Sequence, residues 1–432
     1  MIGEVRIENY KSIQKLKLEL GRVTVLIGEN GCGKSNILEA IALASAAADD
    51  KLDNEFLGSR GIRVTEPQFM RSAFEKENLD KDIKIDIKGN DENFSCILSN
   101  DNLPYSQWIN KTKSLLTETS LEDSKDESKI LRKEELIKII KEYLKYISPS
   151  LLPEISLEDS KDESKTLIQE ELIKRRKESL KYISTEDILS SIISSSFISF
   201  QNSINKLSDG SNFSKFTIYS PENQALRTFE KEGQIQPLGI NGEGLFKLIK
   251  VLKSEENPNP LNQIKEKLQL IDWFKDFEVP KNLSPMQSSL LIKDKYLDID
   301  LSYFDQRNSN EGFLFLLFYF ALFISDLTPS FFAIDNIDAS LNPRLCRRLI
   351  QELVELAKKH DKQVIFTTHN PAVLDGLDLD DDQQRLFAIY RNQLGHTKAR
   401  RILKPEPLEG QEPVKLSEAF LRGYIGGLTK NF

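Results

Sequence analysis

The sequence predicts an α/β fold in three stretches: a strand-rich start over residues 1–105, a charged helical insertion over 106–215, and a parallel α/β lobe over 216–432. Three observations carry this. An apolar run at 23–27 opens directly into a glycine-rich loop. Strand and helix patterns alternate through the last third. Between them the composition shifts to charged, repeated sequence. Apolar runs that alternate with helical periods are the pattern of a parallel sheet with crossover helices.

Residues 1–10 alternate and carry charge, so they read as a strand and not as a signal peptide. Residues 4–8 and 16–20 form a predicted hairpin. The run at 23–27 is the next strand, and 36–47 the helix after the loop. Residues 82–87 alternate at period two, with 94–98 as their partner strand.

The loop itself reads G-E-N-G-C-G-K-S at 28–35. Glycines at 28, 31 and 33 let backbone N–H groups turn inward around phosphates, at the positive end of the following helix. Lys34 supplies a point charge and Ser35 a hydroxyl for Mg²⁺. The predicted nucleotide contacts are therefore Gly28, Asn30, Gly31, Cys32, Gly33, Lys34, Ser35 and Asn36, with a nucleoside triphosphate and Mg²⁺ as the ligands.

From 111 to 184 the chain carries 16 Lys+Arg and 16 Asp+Glu, and the cause is an internal duplication. S-L-E-D-S-K-D-E-S-K stands at 120–129 and again at 156–165, and the copies continue to 23 identities in 29 at an offset of 36. Two copies fall short of the roughly three that a solenoid needs, so this reads as a local duplication in a surface insertion. The first copy sets Leu136, Ile137, Ile140, Leu144 and Ile147 on one helical face. In the second, Arg176 replaces the central isoleucine, and the basic run at 174–177 reads as a solvated face.

After the insertion, 216–220 reads as a strand, 237–244 as a glycine-rich turn before a helix at 245–252, 257–260 as a loop and 297–301 as a short strand. The apolar run at 313–324 is too short to span a bilayer and reads as a buried helix. Strands at 331–334, 364–367 and 385–390 then alternate with a helix at 345–358. The first of these ends in Asp335, a Mg²⁺ ligand candidate opposite Ser35. The second leads into His369, at the carboxyl end of a strand, where α/β proteins bind ligands, and so a candidate for a role at the γ-phosphate.

The bulk numbers narrow the function classes. With 39% hydrophobic residues the chain can build a sizeable core, and a net charge of −8 excludes a generally basic nucleic-acid coat. Cys32, Cys96 and Cys346 have neither disulfide nor zinc spacing, which fits the cytoplasm.

These motifs resemble the ABC-type ATPase heads of the RecF, SMC and OLD group: G-E-N-G-C-G-K-S-N-I-L-E-A-I after a hairpin, then A-I-D-N-I-D-A-S-L-N-P, then T-T-H-N-P. Lys34 and Asp335 stand 301 positions apart, which matches that group's habit of a long insertion, where transporter subunits keep these motifs close. The resemblance implies a P-loop head with two ATP molecules sandwiched in a head-to-tail homodimer or a higher oligomer. In it His369 is the switch histidine, and Ala339, Ser340, Leu341 and Asn342 form the loop that crosses the interface. Two departures stand out. Leu-Ser-Gly-Gly is absent, and Ser309, Asn310, Glu311 and Gly312 are the candidate signature in trans. Asn336 replaces the glutamate that follows the Walker B aspartate, and an amide cannot accept a proton; loss of a general base costs roughly 10²–10⁴ in rate. The catalytic candidates are Asp335, Asp338 as the substitute base, and His369, and hydrolysis is expected to be slow.

The 63 residues after His369 leave no room for the TOPRIM nuclease of many OLD-type proteins, and 378–382 reads as a loop. The whole chain is similar to stand-alone ATPases of prokaryotic antiphage operons, Septu-type relatives among them. This implies a sensor or regulatory subunit with a separate nuclease partner and no membrane. The alternative is a RecF-like repair ATPase that binds nucleic acid.

Overall fold

The computed structural model describes residues 1–90, 93–103, 106–112, 213–228, 237–254, 259–280, 289–298, 303–404 and 414–426. Every element below belongs to a compact unit formed by Met1–Lys111 and Lys206–Phe432; Thr112–Asn205 forms a second unit. The duplicated copies, the apolar face from Leu136 to Ile147 and the basic run at 174–177 lie outside the described residues.

The chain opens with β1 (Ile2–Tyr10), β2 (Ile13–Glu19) and β3 (Val23–Ile27), then α1 (Lys34–Ala48) and the short α2 (Asn54–Ser59) and α3 (Pro67–Met70). β4 (Ile83–Gly89), β5 (Asn93–Ser99) and β6 (Ile109–Asn110) follow. An antiparallel sheet takes the order β2-β1-β4-β5-β6. Its period-two pattern is visible in β1, where Val5 and Ile7 are buried while Glu4, Arg6 and Glu8 lie half-buried on the other face. One buried face permits a polar opposite face.

Beyond the insertion come β7 (Ile218–Tyr219), α4 (Asn223–Thr228), α5 (Leu245–Ser254), α6 (Asn259–Lys267), β8 (Phe274–Glu278), β9 (Leu291–Asp294) and β10 (Tyr303–Asp305). Then follow α7 (Glu311–Ile324), β11 (Phe331–Ile334), α8 (Pro343–Lys359), β12 (Gln363–Thr368), α9 (Pro371–Leu374), β13 (Gln384–Arg391), β14 (Thr397–Ile402) and α10 (Leu416–Leu421). The main sheet runs β14-β13-β3-β12-β11-β7, parallel except for the edge strand β14.

All five residues of β3 are buried because both faces of this sheet are covered. Val23, Val25 and Ile27 join a core with α7 and α8, and Leu26 joins the opposite core with α1 and the antiparallel sheet. Helix α7 is buried all round over residues 313–324, which accounts for a run with no polar face. Each fully buried Leu or Phe there contributes about 1.5–3 kcal/mol. The loop after α7 is tied to the start of β12 by the buried Lys362, whose Nζ donates to Ser325 O (2.8 Å), Thr328 O (3.0 Å) and Thr328 Oγ1 (3.0 Å).

Two sequence expectations are corrected. Asn259 and Pro260, read as part of a loop, open α6, since proline is tolerated in a helix's first turn. The alternation at 297–301 is not a strand at Leu297, which is exposed in a bend. The antiparallel pair β9 and β10 flanks it, and a third small sheet, β10-β9-β8, results.

Candidate nucleotide site

Because β3, β11, β12 and β13 are parallel, their carboxyl ends reach the same edge of the sheet and bring Gly28, Asp335, Thr368 and Arg391 to one side. This is the edge at which open α/β sheets bind ligands. The loop after β3 needs its glycines. Gly33 has φ 107°, and a Cβ there would stand 2.2 Å from Thr397 Oγ1. Lys34 Nζ lies over the loop, donating to Gly28 O (2.8 Å) and Glu29 O (3.0 Å). Burial lowers its pKa, while Cys32 and Asp335 pull the other way. A cation held in a partly desolvated loop attracts phosphate strongly.

Across 300 residues of sequence, Ser35 Oγ donates to Asp335 Oδ2 at 2.9 Å. A hydroxyl and a carboxylate in contact form an oxygen-only donor pair suited to Mg²⁺, which commonly completes its shell with phosphate oxygens and water. The residues present therefore fit the metal. Thr367 Oγ1 donates to Asp335 Oδ1 and accepts from Asn336 N at 2.9 Å. Thr368 Oγ1 donates to Asp338 Oδ1 at 2.6 Å. Asn336 is exposed and has φ 57°, a left-handed conformation that asparagine tolerates better than most residues. His369 lies at the site's mouth. Partial desolvation and then Lys34 lower its pKa, against Asp338, Asp335 and the Gly28 backbone.

A second polar network supports the loop from behind. Thr397 Oγ1 donates to Cys32 O (2.8 Å) and lies 2.7 Å from Ser12 Oγ, which accepts from Asn36 Nδ2 at 2.7 Å. The buried Glu39 accepts from Tyr10 OH (3.2 Å), Arg63 Nε (2.5 Å) and Lys11 Nζ. Arg391 Nε donates to Gly31 O at 2.8 Å.

The structure thus brings Gly28–Asn36, Asp335, Asp338 and His369 together. Ser309, Asn310, Glu311 and Gly312 lie elsewhere, at the start of α7. Ser309 is buried, and the Asn310 side chain caps the helix by accepting from Phe313 N at 2.8 Å. Glu311 accepts from Ser340 Oγ at 2.7 Å, and Gly312 abuts Leu341, so this segment and 339–342 share one face. Among the described residues, no hydrogen bond joins either segment to residues 28–36. Sequence reasoning missed Thr367, Thr368 and Arg63. The two threonines read as ordinary β-branched strand residues, and their only signal is the hydroxyl pair at a strand's carboxyl end.

A glycine-rich loop between a parallel strand and a helix, with a hydroxyl–carboxylate pair opposite, is the arrangement of a P-loop ATPase. The chain belongs to the family described as "AAA domain, putative AbiEii toxin, Type IV TA system", which matches residues 23–375. It is 38% identical over 55 residues to the DNA replication and repair protein RecF of Bacillus thuringiensis (strain Al Hakam) and of Bacillus cereus (strain B4264). The matched stretch covers 12% of this chain and 15% of each relative. Among solved structures it is similar to an SmcHead bound to the C-winged helix domain of ScpA (TM-score 0.49, 14% identity, 93% of this chain and 98% of that one). The SMC head domain from Thermotoga maritima aligns with TM-score 0.42 and 12% identity over 93% and 98%. Among the described residues, no helix is long and apolar enough to cross a membrane.

Proposed function

We propose that this ATPase holds ATP more than it spends it, and that bound MgATP sets the assembly of two copies. The observation that carries the reading is the Ser35–Asp335 contact with Asn336, not a carboxylate, as the next residue. Lys34 and the loop amides grip the phosphates, and Ser35 and Asp335 hold Mg²⁺, which when bound neutralises charge on the phosphate oxygens. Asp338 orients water as the substitute base, and His369 donates toward the γ-phosphate. Asn310 to Gly312 and the loop at 339–342 meet the nucleotide of the second copy, with the buried Ser309 behind them; the exposure of Asn310, Asn336 and Ser340 supports this.

In this reading residues 106–215 are an insertion in the head. The protein is the regulatory subunit of a cytoplasmic antiphage system whose nuclease is another polypeptide. The family description, which names a toxin of a type IV toxin–antitoxin system, favours a two-component arrangement. The 55-residue match to RecF favours a second reading, a DNA-repair ATPase, which predicts stimulation of hydrolysis by DNA.

Single-turnover kinetics on Asn336→Glu and Asp338→Ala test the proposal. Asn336→Glu is expected to raise the rate by about 10²–10⁴ and Asp338→Ala to abolish what remains. Fast wild-type turnover that survives the loss of Asp338 sinks it.

A further inference from the structure

Helix α4 follows β7 in the chain, and two of its side chains bind the segment that starts α7. Arg227 Nε donates to Asn223 Oδ1 (2.7 Å), and its Nη1 donates to the carbonyls of Gln306 (3.3 Å) and Arg307. Gln306 returns the contact through Nε2 to Arg227 O at 3.3 Å, while its Oε1 accepts from Leu290 N at 2.8 Å. Asn223 Nδ2 donates to Glu311, the carboxylate that also accepts from Ser340 Oγ. Leu226 is buried under Gly242, where a Cβ would stand 2.4 Å from its Cδ2. The helix is therefore seated on the body and not free to swing.

The other end of this connection is the metal-ligand candidate. Asp335 N donates to Tyr219 O at 2.9 Å, so the strand that leads into α4 is hydrogen-bonded to the residue facing Ser35. A guanidinium that spans two backbone carbonyls and a side-chain amide fixes a loop by direction as well as distance, which a lysine ammonium does less well. The loop fixed in this way carries Ser309 and Asn310.

We propose that Arg227 and Asn223 are positioning residues: they set the 306–311 segment and Ser340 as one rigid surface against the second copy's nucleotide, and couple that surface to Asp335 of their own chain. This rests on the two-copy reading above. A displacement of about 1 Å of such a surface costs about 10²-fold in turnover.

The test uses the full chain carrying Arg227→Ala, Arg227→Lys or Asn223→Ala, each checked for a wild-type thermal transition. Affinity of the single chain for a fluorescent ATP analogue is expected to stay within about twofold, because Lys34 and Ser35 are untouched. ATP-dependent self-association and kcat are expected to fall about 10²-fold in Arg227→Ala and less in Arg227→Lys. Mixing Arg227→Ala with Lys34→Ala rebuilds one composite site per mixed pair. At chain concentrations high enough to drive all chains into pairs, the mixture is expected to return about a quarter of wild-type turnover, against about a hundredth for Arg227→Ala alone.

A wild type that stays monomeric with MgATP overturns the assembly itself. A wild type that assembles beside an Arg227→Ala variant that assembles and turns over equally overturns only the clamp. Two folded variants that fail to complement on mixing overturn it as well. If Arg227→Ala does not fold, Asn223→Ala carries the same mixing experiment with the same outcomes.

Discussion

Replacing Thr367 with valine removes one hydroxyl and almost no volume, and that hydroxyl serves two neighbours. It donates to Asp335 Oδ1 and accepts from the Asn336 amide at 2.9 Å. A hydrogen bond to a charged acceptor contributes about 1.5–3 kcal/mol, and the orphaned amide adds about 1 kcal/mol or less because water reaches the exposed Asn336. Thr367→Val is therefore expected to destabilise the nucleotide-free protein by about 1.5–4 kcal/mol. It also weakens the metal site. A carboxylate that loses an orienting hydrogen bond binds its ion about 10–100-fold more weakly. The assay is a Mg²⁺ titration at fixed fluorescent ATP analogue, with Thr367→Ser as the control that keeps the hydroxyl. An unchanged Mg²⁺ midpoint in the valine variant, or an equal shift in the serine variant, refutes the assignment.

Glu39→Ala leaves Lys11 half-buried without its carboxylate and is expected to cost about 3–5 kcal/mol in urea denaturation; a loss under about 1 kcal/mol contradicts this. Lys362→Met abandons the oxygens of Ser325 and Thr328 and should cost about 3 kcal/mol. His369 has a folded pKa below 6.5, so the unfolded chain binds the extra proton first as pH falls. Its contribution to stability is present above 6.5 and is lost as pH drops through the folded value. An NMR titration of the nucleotide-free protein checks this, and a His369 midpoint at or above 6.5 rules it out.

Elements with a strong period were legible from residues alone. β1, β4 and the run of α7 each bury what their patterns require, and Ser35 and Asp335 meet as the motifs demand. The small sheet of β8 to β10 was not legible, because its strands have three to five residues and β8 pairs with a bulge between Phe274 and Asp276. Too few alternations remain in such strands to distinguish them from loop. The contacts of Thr367, Thr397 and Arg227 escaped for another reason. Each joins segments dozens to hundreds of positions apart, and nothing local in a threonine or arginine marks the carbonyl or carboxylate it will meet.

The position of β3 also bears on how the protein is made. Its two neighbours in the sheet are β12 and β13, which begin 336 and 357 positions after Ile27. At about 5–20 residues per second, a ribosome needs about 20–70 s to supply the first of them. For that interval the phosphate loop's strand, apolar except for Thr24, is an edge with no partner, the kind of surface that pairs with other chains. ATP cannot rescue the nascent chain, since Asp335 and the strand that supports it do not yet exist. Slow codons or a missing chaperone should therefore harm this protein's yield before they harm its activity.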